Sequence, residues 1–309
     1  MLPHELDQKS CESLESEAIL RITSYHRRDF DAKVVTAEPG QHDHARSSLF
    51  KSFGESASSG LGRLQRLPFE LLSSICLLLD LQSALNFSQA RRSARETIGS
   101  IPQYHRLREH SLECIWALSR TGLSHHTSIS DLHAALLTEL CVICGSFGGF
   151  LFLPSATRCC FACIESAPDF RIISFHSLQK ESRRLATRRK LVSGHHALQF
   201  PRADHDEDPR AILGKLPDSP VLRCMAVCRL PYFNLATGDL QLGISCKGCQ
   251  IAMEADFSDA NFSRRERLYS RDGFMRHFWD CVEAKELWAS SEGGMVAVTE
   301  PEWTRRGGL

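Results

Sequence analysis

The sequence predicts a mainly α fold with small β elements (α+β), in which a three-helix segment near the first third precedes a helical, cysteine-rich domain of irregular texture. Three observations carry this. From Leu61 to Leu140 apolar residues recur three or four apart. After Cys141 the texture changes to Gly and Phe clusters with short apolar runs such as Gly149 to Leu153, which suits small strands and turns. Cysteines in that second part come in closely spaced pairs.

With 309 residues, 42% hydrophobic and 24% charged, the chain has the composition of an ordinary globular protein with one or two cores. Lys plus Arg and Asp plus Glu are 37 each, so no net charge steers the chain toward nucleic acid or a membrane surface. No stretch reaches the ~18 apolar residues of a membrane span. The N-terminus MLPHELDQKS lacks a basic region followed by an apolar one. A cytoplasmic and/or nuclear protein is expected. Its 13 cysteines would then stay reduced, which favours metal ligation over disulfides wherever thiols are close in sequence.

Residues 1–60 mix charges, His and Ser and read as a mostly disordered arm. One marginal helix is expected from Leu14 to Ile22, where Leu14, Ala18, Ile19 and Ile22 share a face. Residues 61–101 form the three-helix segment. Pro68 suits a first helical turn and Glu70 the positive end of the macrodipole, with Leu71, Leu72, Ile75, Leu78 and Leu79 following at helical spacing. Asp80 and Ser83 are cap and turn types, so a second helix starts near Ala84 and turns Leu85 inward. A third runs to about Ile98, ended by Gly99 and Pro102.

Residues 102–309 are expected as one domain. LREHSLECIWALSR and ISDLHAALLTEL each read as a helix, and VLRCMAVCRL as a strand. On a strand Cys224 and Cys228 would lie ~13 Å apart, too far to share an ion, and read as buried thiols. Cys11, Cys76 and Cys114 have no near partner. The basic run from Lys180 to Lys190 reads as a solvated helix face rather than a nuclear import signal or phosphate patch. His125-His126 and His195-His196 read as surface loops.

Cys141-Val-Ile-Cys144 and Cys160-Phe-Ala-Cys163 are fifteen residues apart, the spacing of a four-thiolate zinc site made of two knuckles. A two-residue gap lets a tight turn bring both sulfurs to one tetrahedral ion, and Gly145 permits the left-handed step of that turn. Cys159 remains an alternative to Cys160. Cys246-Lys-Gly-Cys249, with His277 and Cys281 four apart on one helix face, makes a second set of three thiolates and one imidazole. Gly248 would relieve the backbone there. Arg264, Arg265, Arg267, Arg271 and Arg276 would offset the thiolate charge. Neither set has a general-base Glu at metalloprotease spacing, and the chain has no phosphate loop, nucleophile elbow or kinase string. Two structural zinc ions and no enzymatic activity are expected.

The order Leu64, Leu67, Pro68, Glu70, Leu71, Leu72, Ile75, Leu79, then Leu85, Ser88 and Ile98 resembles the F-box motif. Its opening, Leu-Pro-x-Glu-Leu-Leu-x-x-Ile, reads from Leu67 to Ile75 without a gap. The resemblance implies that this segment docks a Skp-type adaptor, through Leu64, Leu67, Pro68, Leu71, Leu72, Ile75, Leu79 and Leu85. The adaptor links to a cullin scaffold and a ubiquitin-conjugating enzyme, while the remainder of the chain selects a protein substrate. Many F-boxes carry a Trp in the third helix where this chain has Ala94. The absent ring removes an apolar contact of the ~150–250 Å² class, implying weaker adaptor binding.

The stretch from Cys141 to Cys163, with Leu230-Pro231-Tyr232, GISCKGC from Gly243 and HFWDC from His277, resembles fungal F-box proteins with cysteine-rich C-terminal regions. The likeness spans about residues 61–290. Some of those proteins place another Cys near position 156, here Ala156. Two alternatives stand beside this reading: a zinc-dependent nucleic-acid-binding protein, opposed by zero net charge, and an F-box scaffold acting outside the ligase.

Overall fold

The structure, a computed structural model, describes residues 14–37, 40, 60–174, 191–193, 218–298 and 302–306. Residues 14–23 form helix α1, followed by β1 (Ser24–Tyr25) and α2 (Arg28–Lys33). Next come α3 (Phe69–Leu78), α4 (Leu81–Ala90), α5 (Arg92–Gly99), α6 (Pro102–His110), α7 (Leu112–Arg120) and α8 (Ile129–Leu137). Short elements follow: β2 (Phe150–Phe152), β3 (Thr157–Cys159), α9 (Phe161–Ser166), β4 (Ile172–Ser174) and β5 (Leu191–Ser193). After these lie α10 (Pro220–Cys224), β6 (Val227–Arg229), β7 (Tyr232–Phe233), β8 (Leu240–Gln241) and β9 (Ser245–Cys246). The chain continues through α11 (Lys247–Ala255), α12 (Asp259–Arg265), α13 (Arg271–Asp280), α14 (Val282–Ser290) and α15 (Glu302–Arg305). The fold is mainly α with small β elements, as the sequence predicts. No helix among the described residues is long and apolar enough to cross a membrane.

Two compact units divide the chain: Val34–Cys159 with Cys163–Leu242, and Met1–Lys33 with Cys160–Ala162 and Gly243–Leu309. In the former, Asp80 caps α4 by accepting from Ser83 N at 2.8 Å, and the chain breaks between α4 and α5 where Arg91 is extended. Ser128 and Asp131 close a capping box on α8. Leu81, Ile98, Leu107, Leu118, Leu132 and Leu136 meet in one buried core, joined by Leu151 from β2 and by Leu230 just after β6. The stretch read as a single helix, LREHSLECIWALSR, is two: α6 ends and α7 begins around buried Ser111, which departs from helical backbone and turns the chain.

The sheet has order β3-β2-β6, all antiparallel, with Phe150 opposite both Cys159 and Arg229. Buried Arg158 crosses behind it and donates to the carbonyls of Ala135 (2.9 Å), Gly148, Leu230 (3.0 Å) and Pro231 (2.6 Å). Burial pushes its guanidinium down to about 10, because backbone dipoles alone replace the hydration of the cation. The strand expected over VLRCMAVCRL is only half strand. Pro220 opens a helical turn holding Cys224, and only Cys228 lies in β6, fully buried.

The other unit corrects the disordered-arm reading over residues 14–33, where the helix expected from Leu14 to Ile22 is present. Ile19, Leu20 and Ile22 of α1 and Phe30 of α2 are buried, while Leu14 is exposed. β1 pairs antiparallel with β9, Ser24 opposite Cys246 and Tyr25 opposite Ser245. The physical reason is long-range. The segment is too polar to hold a core of its own, but its few apolar side chains complete one supplied by residues more than two hundred positions later. The basic run from Lys180 to Lys190 and His195-His196 lie outside the described residues. His125-His126 are exposed, as expected.

Candidate metal centres and an exposed apolar stripe

The first centre is built on a tight turn after α8. Gly145 N donates to Cys141 O at 3.0 Å, Cys141 N to Ser146 O at 2.7 Å, and Gly145 takes φ 71°, the left-handed step anticipated for it. Val142 N reaches Arg158 O at 3.2 Å and so ties the turn to β3. β3 leads into Cys160, and Cys163 sits in the first turn of α9. The ligand atoms of Cys141, Cys144, Cys160 and Cys163 all lie within 4.8 Å of one another. Cys159, the open alternative, points away: its Sγ donates to Phe150 O at 3.6 Å, and full burial holds its thiol well above the usual range. Ala156 lies in the β2–β3 turn with φ 52° and is not part of the group.

The second centre repeats that design, a strand feeding a Cys-x-x-Cys into a helix start. Cys246 ends β9 and caps α11, and Cys249 lies in the first turn of α11. α13 brings His277, and Cys281 stands at the junction where α13 ends and α14 begins. These four donors also fall within 4.8 Å of one another. Cys246 Sγ is 3.8 Å from Cys281 Sγ, and Cys249 Sγ is 3.3 Å from His277 Nε2. Hydrogen bonds from Cys246 and Cys249 hold the Cys281 thiol far below its usual range. Its bonds to Cys249 and Cys281, with burial, push Cys246 far up. At Cys249 the bond with Cys246 lowers the thiol, but the bond to Cys281 and burial outweigh it and push it up to about 12.

Long-range contacts orient these ligands. Tyr269 stacks on His277 with ring centroids 4.4 Å apart, while its backbone pairs with Ile244, two residues before Cys246. Of the five arginines expected to offset thiolate charge, Arg264 does so, at 3.6 Å from Cys281 Sγ and 3.2 Å from Glu283. Arg265 instead joins a buried ion network with Asp29, and Arg271 pairs with Glu17. Charge proximity in sequence did not distinguish them. Tyr269 and Ile244 escaped the sequence reading because nothing local marks them.

Gly248 has a different purpose from the one its spacing suggested. It lies inside α11, and a Cβ there would run into the backbone N and Cα of Ala284 in α14, the latter at 2.9 Å. It permits close approach of α11, which carries Cys249, and α14, which starts just after Cys281. Gly248→Val is expected to cost about 1–3 kcal/mol by overpacking and to speed metal loss from this centre. Thermal unfolding with a chelator-release assay checks both.

The opening of the three-helix segment is apolar on two faces. Leu72 and Cys76 of α3 turn inward, whereas Leu71, Ile75 and Leu78 are 52%, 47% and 78% exposed, with Leu64 at 42% and Phe69 at 46% beside them. Pro68 is exposed and Leu67 half-buried. Three of the eight residues expected at an adaptor surface behave otherwise. Leu72 is buried and Leu85 partly buried because helical period sends them to the inner face, and Leu79, extended where α3 ends, is partly buried against the core. Phe69 and Leu78 are outward residues that the motif string left out; the same period marks them. Ala94, where many F-boxes have Trp, is buried.

Comparisons with family models, with curated proteins and with solved structures find no match to this chain.

Proposed function

We propose that this chain is a non-catalytic, F-box-type substrate receptor of an SCF-type cullin-RING ubiquitin ligase. It acts in the cytoplasm or nucleus, docks a Skp-type adaptor through α3, and presents a zinc-stapled remainder to a protein substrate. The observation that carries this reading is the stripe of Leu64, Phe69, Leu71, Ile75 and Leu78. Five large apolar side chains stay exposed at the start of the three-helix segment, whose inner face is buried. A contiguous exposed apolar stripe is a surface made to be covered, and the cover here would be another polypeptide.

The metal is read as structural zinc. Bonds of ~2.3 Å to sulfur make the S–S edge of a tetrahedron about 3.8 Å, and with ~2.05 Å to nitrogen the S–N edge about 3.6 Å. The second centre has 3.8 Å between Cys246 and Cys281 and 3.3 Å between Cys249 and His277. Soft thiolate and imidazole donors in four-ligand sets suit this ion and leave no position for a reacting water.

The test uses full-length protein carrying Leu71→Glu with Leu78→Glu. Both positions face solvent, so the melting temperature should hold within a few degrees while recovery of a purified Skp-type adaptor falls at least 10-fold. Unchanged recovery rejects the docking surface. Cullin recovery with the unaltered chain separates a ligase subunit from a scaffold that stops at the adaptor.

A further inference from the structure

The zinc reading of Cys246, Cys249, His277 and Cys281 leads to a second consequence. We propose that residues 14–33 form a clasp over this centre, so that the N-terminal segment and the metal ion hold each other in place. Helix α1 and strand β1 pack on the elements that carry the ligands, and the residues after them tie to their neighbours. Ile19 and Leu20 of α1 share one buried cluster with Cys246, Cys249, Cys281, Phe274 and Phe278. β1 pairs with the strand that ends in Cys246 itself. Tyr25 donates from its hydroxyl to Gln250 Oε1 at 2.7 Å, next to Cys249 in α11. Arg27 Nη1 donates to Arg265 O at 3.0 Å and pairs with Glu266 at the end of α12. At the other end Arg21 reaches Gly294 O at 2.8 Å.

Remove the segment and the sulfur of Cys246 loses its strand partner and its apolar cover together. Remove the ion and four ligands spread over β9, α11, α13 and the α13–α14 junction lose their common anchor, and the surface that α1 and β1 grip loosens. Coupling of this kind is reciprocal by thermodynamic necessity. It gives the chain a segment whose release and the loss of one ion are a single event, while the centre of Cys141, Cys144, Cys160 and Cys163 keeps its ion.

Two measurements on full-length, zinc-loaded protein test this, with Cys141→Ser and Cys144→Ser present in both so that one ion is followed. Ile19→Asp with Tyr25→Phe should speed zinc release to a chromogenic chelator by roughly 10- to 100-fold, the scale seen when groups supporting metal ligands are removed. Because that variant could unfold the unit outright, hydrogen exchange is followed in the protein with an intact segment. Chelation should raise exchange of the Ser24 and Tyr25 amides at the rate of ion release. Release unchanged by the variant, or exchange unaffected by chelation, overturns the clasp while leaving zinc in place. Absence of any bound ion overturns both the clasp and the zinc reading, and total metal content distinguishes that outcome from the others.

Discussion

Replacing Cys246 and Cys249 together by Ser is expected to remove one of about two zinc ions per chain and to unfold the unit that contains residues 243–309, leaving the other cooperative. The centre lies inside that unit's core: three of its four ligands are buried members of the cluster that also holds Phe274, Phe278 and Ala284. A core this small has little hydrophobic reserve without its ion. Structural zinc supplies ~10–16 kcal/mol in isolated finger peptides at neutral pH, so losing it removes stability on the order of 10 kcal/mol, more than a typical domain can spare. Elemental analysis and calorimetry on the same sample check both halves. Two ions retained, or a single unfolding transition at the unaltered temperature, contradicts the ligand assignment.

Asp29→Ala is the second large effect, expected to destabilise by about 3–5 kcal/mol. Arg27, Asp29, Arg265 and Glu266 form a buried, charge-balanced network in which Asp29 accepts from Arg27 Nε at 2.9 Å and from Arg265 Nη2 at 3.2 Å. Arg27 also lies over the Phe30 ring, 3.7 Å from its centroid. Deleting one of the two carboxylates shared by both guanidiniums leaves Glu266 to balance two cations, a net positive charge held away from water.

Burial opposes ionisation of Asp29, but the hydrogen bond and charge of Arg27, with Arg265 and Lys33 behind, outweigh it and hold the carboxyl below its ordinary 3.8. A lowered folded value means that the stabilisation is fully present above the ordinary value and is lost as pH falls through the lowered one. The gap between wild type and Asp29→Ala, measured by denaturant unfolding, should therefore be full at pH 7 and narrow in strong acid. A gap under 1 kcal/mol at pH 7 would show that water reaches the network.

Much of the candidate chemistry was legible in sequence because ligand spacing is a local property. Cys-x-x-Cys forces two sulfurs to one side of a turn, and His277 with Cys281 follows from helical period, so both donor sets could be read before any fold was known. The same holds for the exposed stripe, since the period that sends Leu72 and Cys76 inward sends Leu71, Ile75 and Leu78 outward. The choice between Cys159 and Cys160 was not local. It depends on which way β3 presents its last residue, and pairing with Phe150 in β2 turns Cys159 into the sheet core.

By itself, then, the sequence determined the helical class, the two donor sets and the outward apolar face of α3, all consequences of spacing within a few residues. Only the tertiary structure decided that α1 and β1 pack against the residues of the second candidate centre, that Gly248 lets α14 approach, and that Arg27 and Arg158 are buried hubs. Those facts come from contacts between residues far apart in the chain. Local composition carries no trace of them, because a polar segment such as 14–33 becomes ordered only through apolar and charged partners that another part of the chain brings to it.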